Sequence, residues 1–172
     1  QKWCQNVATS TGHACDEVLD DEGDHAVCCH FGPLRVRVHN DLAEQVADIV
    51  EETAAHVRRE AYVKEMSTRT ADALLDVWAF GGRLRDLLVD VTVRHPMAGR
   101  YQPSAASLPG ATAADAEREK RTRYPGRGGR KVTPVVFETW GRLWEDGEEL
   151  LRDLAAETTR HAARRGQATT TG

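Results

Sequence analysis

The chain has 172 residues and a mass of 19.0 kDa, with 40% hydrophobic and 29% charged residues. This composition is typical of one globular domain and excludes fibrous and collagen-like classes. No run approaches the roughly 18 to 20 apolar residues that span a bilayer, so no membrane partner is expected. The chain starts Gln1-Lys2-Trp3-Cys4, without an initiator methionine or a signal-like apolar region. We therefore interpret it as part of a longer polypeptide that is not secreted.

The net charge of −4 conceals an uneven distribution along the chain. Residues 1–56 carry 11 acidic and 3 basic side chains, whereas residues 57–172 carry 16 acidic and 20 basic ones. Seven of the bases lie within residues 118–131, and this basic segment predicts a phosphate-binding surface. Arginine supplies 19 of the 23 bases, which suits bidentate phosphate contacts but is equally explained by a GC-rich coding sequence. The candidate nucleic-acid-binding residues are Arg118, Arg121, Arg123, Arg127, Arg130 and Lys131.

All four cysteines lie in the first 29 residues, and three histidines lie among or directly after them. Mixed Cys and His ligands in one short segment favour a structural zinc site over two disulfides, so residues 1–33 are predicted to form a zinc-knuckle-like segment. The fourth ligand is ambiguous among His13, Cys4 and Cys28, and a degenerate site or plain buried thiols are competing interpretations. The predicted Zn²⁺ ligands are Cys15, His25, Cys29 and His13.

The next part of the chain predicts one helix and three strands. An acidic, glycine-containing turn over 20–24 and the sequence Phe31-Gly32-Pro33 bound the two halves of the cysteine-rich segment. A helix follows an N-cap at Asn40 and carries one apolar stripe up to Val57. Three strands are then predicted over 57–63, 71–79 and 85–93, and a hairpin turn at 80–83 joins the last two. The third strand, over 85–93, is nearly continuously apolar, which is typical of a central strand.

The second half of the chain alternates helix and strand. A loop follows Pro96, and the glycine-rich residues 125–129 separate the next helix from the fourth strand. Pro134 in that strand predicts an irregular start or an edge position. The predicted elements are a helix over 113–124 with a capping box at Thr112, a strand over 132–137, and a final helix over 143–165.

This order of elements predicts an α/β fold. A mixed central sheet of about four strands, flanked by helices, is expected over residues 34–166. The zinc-knuckle-like segment precedes it, and residues 167–172 are expected to form a flexible tail.

Two acidic residues stand out because they lie in strand context. Asp72 lies at the start of the second strand, and Asp90 lies deep in its apolar neighbour, where an ionised carboxylate is costly unless it is paired or binds a cation. Pairing through the hairpin brings both acids near one end of the sheet, as a hard-oxygen site suited to Mg²⁺. Asp76 and Asp86 are competitors that we expect to face solvent. The structural alternative is that Asp72 and Asp90 cap turns or pair with arginine.

Such a Mg²⁺ site can activate water for attack on a phosphodiester, and this reaction also needs a cation to orient the water and to offset charge. The sequence contains four lysines. Lys120, on the helix after the third strand, and Lys131, at the edge of the fourth, are the credible candidates. No lysine stands on the third strand itself, where the residue two after Asp90 is Thr92.

Five short stretches, taken in order, resemble a known nuclease fold, the PD-(D/E)xK restriction-like endonucleases. More narrowly, the chain is similar over about residues 13–140 to the endonuclease at the C-terminus of reverse-transcriptase proteins encoded by non-LTR retrotransposons. Ala71 stands where that family has proline, and Gly12 or His13 stands where its knuckle has a first cysteine. The stretches are Asp24-His25-Ala26-Val27-Cys28-Cys29 with Val38-His39-Asn40-Asp41-Leu42, then Thr70-Ala71-Asp72, Asp90-Val91-Thr92 and Lys120-Arg121-Thr122-Arg123-Tyr124.

The resemblance implies that Asp72 and Asp90 bind a catalytic Mg²⁺ and that Lys120 is the third catalytic residue. It implies nicking of target DNA to give a 3′-hydroxyl that primes reverse transcription, in the nucleus. The implied partners are DNA, element RNA and the reverse-transcriptase region of the same polypeptide. Two alternatives remain open: a catalytically decayed nucleic-acid-binding module of the same fold, and a partner-binding domain whose interface is formed by Trp140, Trp144 and the last helix.

Overall fold

The structure is a computed structural model that describes residues 2–8, 10–53, 55–68, 73–81, 84 and 86–168. It contains a small N-terminal ribbon and helix, followed by a larger sheet with helices around it. The N-terminal elements are β1 (Lys2–Trp3), β2 (Val18–Leu19) and α1 (Asp24–Cys28). The elements of the larger part are α2 (Leu34–Glu51), β3 (His56–Tyr62), a 3₁₀ turn (Lys64–Met66), β4 (Leu74–Phe80), β5 (Leu87–Arg94), α3 (Gln102–Ser107), α4 (Ala111–Arg123), β6 (Val132–Glu138) and α5 (Glu145–Ala168).

Four strands form one mixed sheet in the order β3-β4-β5-β6. The first two pairings are antiparallel and the β5–β6 pairing is parallel, with Asp90 opposite Pro134. β5 has a neighbour on both sides, as its continuous apolar run predicts, and β6 is an edge strand, where proline is tolerated. The predicted α/β fold with a mixed four-stranded sheet is confirmed.

The two faces of the sheet pack against different helices. Alternate residues of the strands point to opposite faces, so each face has its own apolar cluster. One face packs against α2 and α5, through Val77, Val89, Val91 and Val135 on the strands and Val46, Val50, Leu150 and Leu154 on the helices. The other face packs against α4, through Leu88, Val132 and Val136 on the strands and Ala113, Ala116 and the adjoining Tyr124.

Two helices begin earlier than the sequence predicts. α2 begins at Leu34, before the predicted N-cap Asn40, because Pro33 already has a helix-compatible φ of −77° and nothing in the intervening residues breaks the helix. α4 begins at Ala111 with Gly110, not Thr112, at its N-cap. Gly110 has a φ of 83°, and a Cβ at this position would lie 2.5 Å from the Trp144 ring, so the position requires glycine.

Two further differences concern the loop after Pro96 and the end of the chain. The predicted loop after Pro96 contains the short helix α3. α5 continues to Ala168, so the predicted tail starts inside a helix, and residues 169–172 lie outside the described part of the chain. Within the described part, no helix combines the length and the apolar character needed to cross a bilayer.

Candidate functional site

A cluster of possible metal ligands forms where the N-terminal ribbon meets α1. Antiparallel pairing of β1 with β2 brings Cys4 back beside Cys15, which is 11 residues further along the chain. His25 and Cys29 are four residues apart, and the backbone N–H of Cys29 donates to the carbonyl of His25 at 2.8 Å. Residues at this spacing share one side of a helical turn. The ribbon and the helix therefore each supply one pair of ligands.

The ligand atoms of this cluster lie at tetrahedral-site distances. The Sγ atoms of Cys4 and Cys29 are 3.7 Å apart, and those of Cys29 and Cys15 are 3.6 Å apart. His25 Nε2 lies 3.3 Å from Cys15 Sγ, and all four ligand atoms lie within 4.8 Å of one another. A tetrahedral zinc ion with Zn–S bonds of about 2.3 Å has S···S edges of about 3.8 Å. The Cys4/Cys15/His25/Cys29 cluster can therefore hold a metal ion such as Zn²⁺.

Cys4, and not His13, completes this ligand set. His13 is exposed, and it lies two residues closer to the turn of the ribbon than Cys15, a displacement of about 6–7 Å along a strand. Cys28 is half-buried but lies outside the cluster. The ribbon pairing that returns Cys4 to the site cannot be read from local spacing, which is why the sequence left the fourth ligand ambiguous.

Asp20 fixes the start of α1 and the direction of His25. Its two carboxylate oxygens accept hydrogen bonds from the backbone N–H groups of Asp24 at 2.6 Å and His25 at 2.7 Å. These bonds, led by the one from His25, hold the pKa of Asp20 below its usual value. An ionised side chain in this position satisfies N–H groups that have no partner inside the helix. The predicted acidic turn therefore positions a metal ligand.

One thiol of the cluster is stabilised as a thiolate. Burial acts to raise the pKa of Cys29, but hydrogen bonds from the side chain of Asn6, the backbone of Phe31 and the thiols of Cys15 and Cys4 outweigh it and lower the pKa to about 6. Burial is the main reason that the pKa of Cys15 rises, to about 11. Because the thiolate is the metal-binding form of cysteine, Cys29 is prepared to bind a metal near neutral pH.

A buried histidine connects this N-terminal segment to the ends of the sheet. His95 follows β5 and is 6% exposed, and its Nε2 lies 3.3 Å from Asp24 Oδ1 on α1. Its Nδ1 lies 2.6 Å from the hydroxyl of Thr139, which follows β6. The ring of Trp140 packs edge-on against His95 at 5.5 Å. The helix that carries His25 is therefore attached to the ends of two core strands.

The second candidate site lies on β5, on the face that α4 covers. Asp90 is 5% exposed, and Lys120 Nζ on α4 lies 2.5 Å from its Oδ2. The described residues supply no further hydrogen bond to that oxygen. Burial raises the pKa of Asp90, although the charge of Lys120 acts in the opposite direction. The structure thus brings together two of the three predicted catalytic residues, in surroundings where an unpaired carboxylate is costly.

Asp76 provides the second acid of this site, and the prediction that it faces solvent is wrong. Its side chain is 16% exposed, and its Oδ2 accepts a hydrogen bond from the backbone N–H of Val91 at 2.6 Å. The β4–β5 ladder ends at the pair Val77–Val89, so the Asp76 carboxylate replaces a backbone acceptor beside Asp90. Its charge contributes to the raised pKa of Asp90. The predicted ligand Asp72 lies outside the described residues.

His39 and Tyr124 complete the surroundings of the two acids. His39 on α2 lies with its Nε2 3.1 Å from Asp76 Oδ1, and this hydrogen bond raises the pKa of the imidazole. Tyr124 is buried at the end of α4, and burial followed by the charge of Asp90 raises the pKa of its phenol. Sequence reasoning did not assign either residue to the site. His39 and Tyr124 could have been singled out from the sequence, since both lie inside the short stretches that carry the resemblance.

The predicted nucleic-acid-binding residues divide into two groups. Carboxylates already pair with half of them: Arg118 with Asp115, Arg121 with Glu117 and Asp146, and Arg130 with Asp86. Within the described part of the chain, no carboxylate lies in salt-bridge contact with the other three, and all of them are exposed. The second group consists of Arg123, Arg127 and Lys131.

The residues of the predicted protein-binding interface also divide. Trp140 is 64% exposed. Trp144 is half-buried, packs against the cluster of Val136, and donates its Nε1–H to Glu117 Oε2 at 2.6 Å. Trp144 therefore serves the contact between α4 and the start of α5.

No model of a known protein family matches this chain, and no curated protein matches it either. The resemblance to restriction-like endonucleases therefore stays a prediction. The two sites described above are the basis on which the function can be argued.

Proposed function

We propose that the protein is a Mg²⁺-dependent DNA endonuclease domain with a catalytic centre formed by Asp76, Asp90 and Lys120. The observation that carries this proposal is the buried Asp90 carboxylate, with the Lys120 ammonium group 2.5 Å from it and Asp76 on the neighbouring strand. Hard carboxylate oxygens suit Mg²⁺, and a lysine beside them suits an anionic phosphodiester.

Each residue of the centre has a separate role in this proposal. The carboxylates of Asp76 and Asp90 hold the metal ion. When bound, Mg²⁺ supplies Lewis-acid stabilisation of phosphate oxygens and lowers the pKa of a coordinated water molecule. Lys120 acts against the rise in the pKa of Asp90 that burial causes, and it offers its remaining N–H groups to the phosphate. The backbone N–H of Val91 and the imidazole of His39 fix the Asp76 side chain, and each carboxylate oxygen that they contact keeps a further lone pair.

The resemblance extends the proposal to the biological context. It supports a nicking enzyme within a retrotransposon reverse-transcriptase protein, acting in the nucleus on target DNA to prime reverse transcription. The N-terminal Cys4/Cys15/His25/Cys29 cluster, as a structural Zn²⁺ site, agrees with a knuckle placed before the nuclease core. Element RNA and the reverse-transcriptase region are partners in the same proposal.

A specific observation also favours the decayed module as a second candidate. Both acids already have a basic partner within the chain, Lys120 for Asp90 and His39 for Asp76. Two such pairs can hold a fold together without catalysis. In that case the protein binds DNA and does not cleave it.

A plasmid assay separates the two candidates. Purified protein incubated with supercoiled plasmid and Mg²⁺ is expected to produce nicked circles, because one active centre cuts one strand. The new ends should carry 3′-hydroxyls that a DNA polymerase extends, and omission of Mg²⁺ should prevent their formation. Protein that binds the plasmid but leaves it supercoiled in Mg²⁺ would contradict the enzyme and support the decayed module.

A further inference from the structure

A group of arginines and aromatic rings lies on β3, β4, the end of α4 and the loop before β6, on the side of the sheet opposite α2. We call it the strand-face strip and define it as Arg58, Trp78, Arg123, Tyr124 and Arg130. Arg58 and Trp78 are direct partners in the β3–β4 register. The residue next to Arg58, Arg59, contacts α2, so the alternation of the strand turns Arg58 to the other face.

Of the two neighbouring arginines on β3, Arg58 and Arg59, only Arg59 pairs with carboxylates of the described chain. Arg59 pairs with three carboxylates of α2, at 2.6 to 2.9 Å. Arg58 is exposed and has no carboxylate in salt-bridge contact among the described residues; its guanidinium lies against the ring of Trp78, 5.8 Å from the centroid. The charge of Arg59 is therefore used inside the fold, whereas the charge of Arg58 is available to an external anion.

Aromatic rings hold the cations of the strip in place. Arg130 lies 5.5 Å from the centroid of the same Trp78 ring, and Arg123 lies 5.3 Å from the centroid of Tyr124. A guanidinium held over a ring keeps its in-plane N–H groups free for bidentate contact with phosphate. Arg130 also pairs with the exposed Asp86, which leaves Arg58 and Arg123 as the cations of the strip without a carboxylate partner in the described structure.

The strip adjoins the proposed catalytic centre. Trp78 is two residues from Asp76 on β4 and packs against the apolar cluster that contains Tyr124. Lys120 lies 6.0 Å from the centroid of the Tyr124 ring, and the charge of Arg123 acts on Asp90. One unpaired cation of the strip, Arg123, therefore lies close to Asp90 at the end of α4.

We propose that the strand-face strip binds the phosphate backbone of duplex DNA beside the catalytic centre, with Arg58 and Arg123 as the main contacts. The position relative to the cleaved bond rests on the proposed function, but binding itself does not. The exposed side of α4 that carries Arg118 and Arg121 contributes little, since carboxylates of the same chain already neutralise those residues.

The salt dependence of DNA binding tests this inference. The affinity of the full chain for a 30-bp duplex is measured without Mg²⁺, which prevents cleavage, over a series of KCl concentrations. Each lost phosphate contact lowers the slope of log Kd against log salt by about 0.9. Arg58→Ala and Arg123→Ala are each expected to show this decrease, and Arg58→Lys should retain the wild-type slope. Arg152→Ala removes an exposed arginine of α5 that pairs with Glu148 and should change nothing.

Several outcomes separate this inference from the proposed function. Unchanged slopes in Arg58→Ala and Arg123→Ala would overturn the inference, and wild-type nicking in Mg²⁺ would then leave the enzyme intact. Reduced slopes together with an absence of nicking would support the strip and contradict the enzyme. Wild-type protein that binds no duplex would overturn the inference. Because Arg58 is exposed, thermal unfolding of its variants should match the wild type, which shows that folding is not the cause.

Discussion

Replacing Lys120 with methionine is expected to abolish plasmid nicking in Mg²⁺ and to lower the free energy of unfolding by about 3–5 kcal/mol. The substitution leaves the buried Asp90 carboxylate without the cation that now lies 2.5 Å away. The pKa of Asp90, already raised by burial, should then rise further, so that the carboxyl is increasingly neutral at pH 7 and binds Mg²⁺ poorly. Single-turnover nicking and urea unfolding measure the two effects.

Two control variants distinguish a role of Lys120 in the reaction from a role in stability. Lys131→Met removes an exposed lysine from the basic segment and should leave stability and the rate of the chemical step near wild type. The double variant Asp90→Leu/Lys120→Met replaces the whole buried pair with apolar side chains, so it should recover much of the lost stability without recovering nicking. Efficient nicking by Lys120→Met would show that the lysine holds the fold and does not serve the reaction.

The second large effect concerns the Cys4/Cys15/His25/Cys29 cluster. Protein purified without chelator is expected to contain one Zn²⁺ per chain. Cys4→Ala should lose most of it, because three remaining ligands and an open position bind zinc much more weakly than a closed tetrahedral site. Since a bound zinc ion would join the ribbon to α1, the same variant should expose residues 2–31 to proteases. Metal analysis and limited proteolysis measure both changes.

Two residues of the N-terminal segment that lie outside the cluster serve as controls. His13→Ala and Cys28→Ala alter the two alternative ligands that the sequence offered, and both variants should keep one zinc per chain and the wild-type proteolysis pattern. Loss of zinc in His13→Ala with retention in Cys4→Ala would contradict the geometry of the cluster. Wild-type protein that binds no zinc would show a degenerate site.

The sheet could be predicted from sequence because its signals are local. The continuous apolar run of β5 and the position of Pro134 in β6 identified a central and an edge strand, and both are found in the structure. The start of α2 could not be predicted well, since Asn40 is a good N-cap residue by type, yet the helix runs through it from Pro33. Residue types placed the elements, but they did not fix where each helix begins.

The sites needed contacts between residues distant in sequence. Lys120 could be singled out because lysine is rare in this chain, and it does meet Asp90. Asp76 was assigned to solvent because it flanks the predicted hairpin, but the ladder stops at Val77 and the Asp76 carboxylate accepts a hydrogen bond from the Val91 N–H. Cys4 was left ambiguous because a ribbon of 18 residues, and not a short motif, returns it to the cluster. In both cases the position of the side chain depends on a contact that local sequence patterns do not show.

The most direct test of the proposed catalytic centre is the single-turnover nicking rate of Asp76→Asn compared with Asp86→Asn. Both variants remove one acid from the β4–β5 region, but Asp76 adjoins Asp90 whereas Asp86 is 52% exposed and pairs with Arg130. The proposed centre predicts a rate at least about 100-fold below wild type for Asp76→Asn, because a metal-binding carboxylate is lost, and a rate near wild type for Asp86→Asn. Equal rates in the two variants would contradict it.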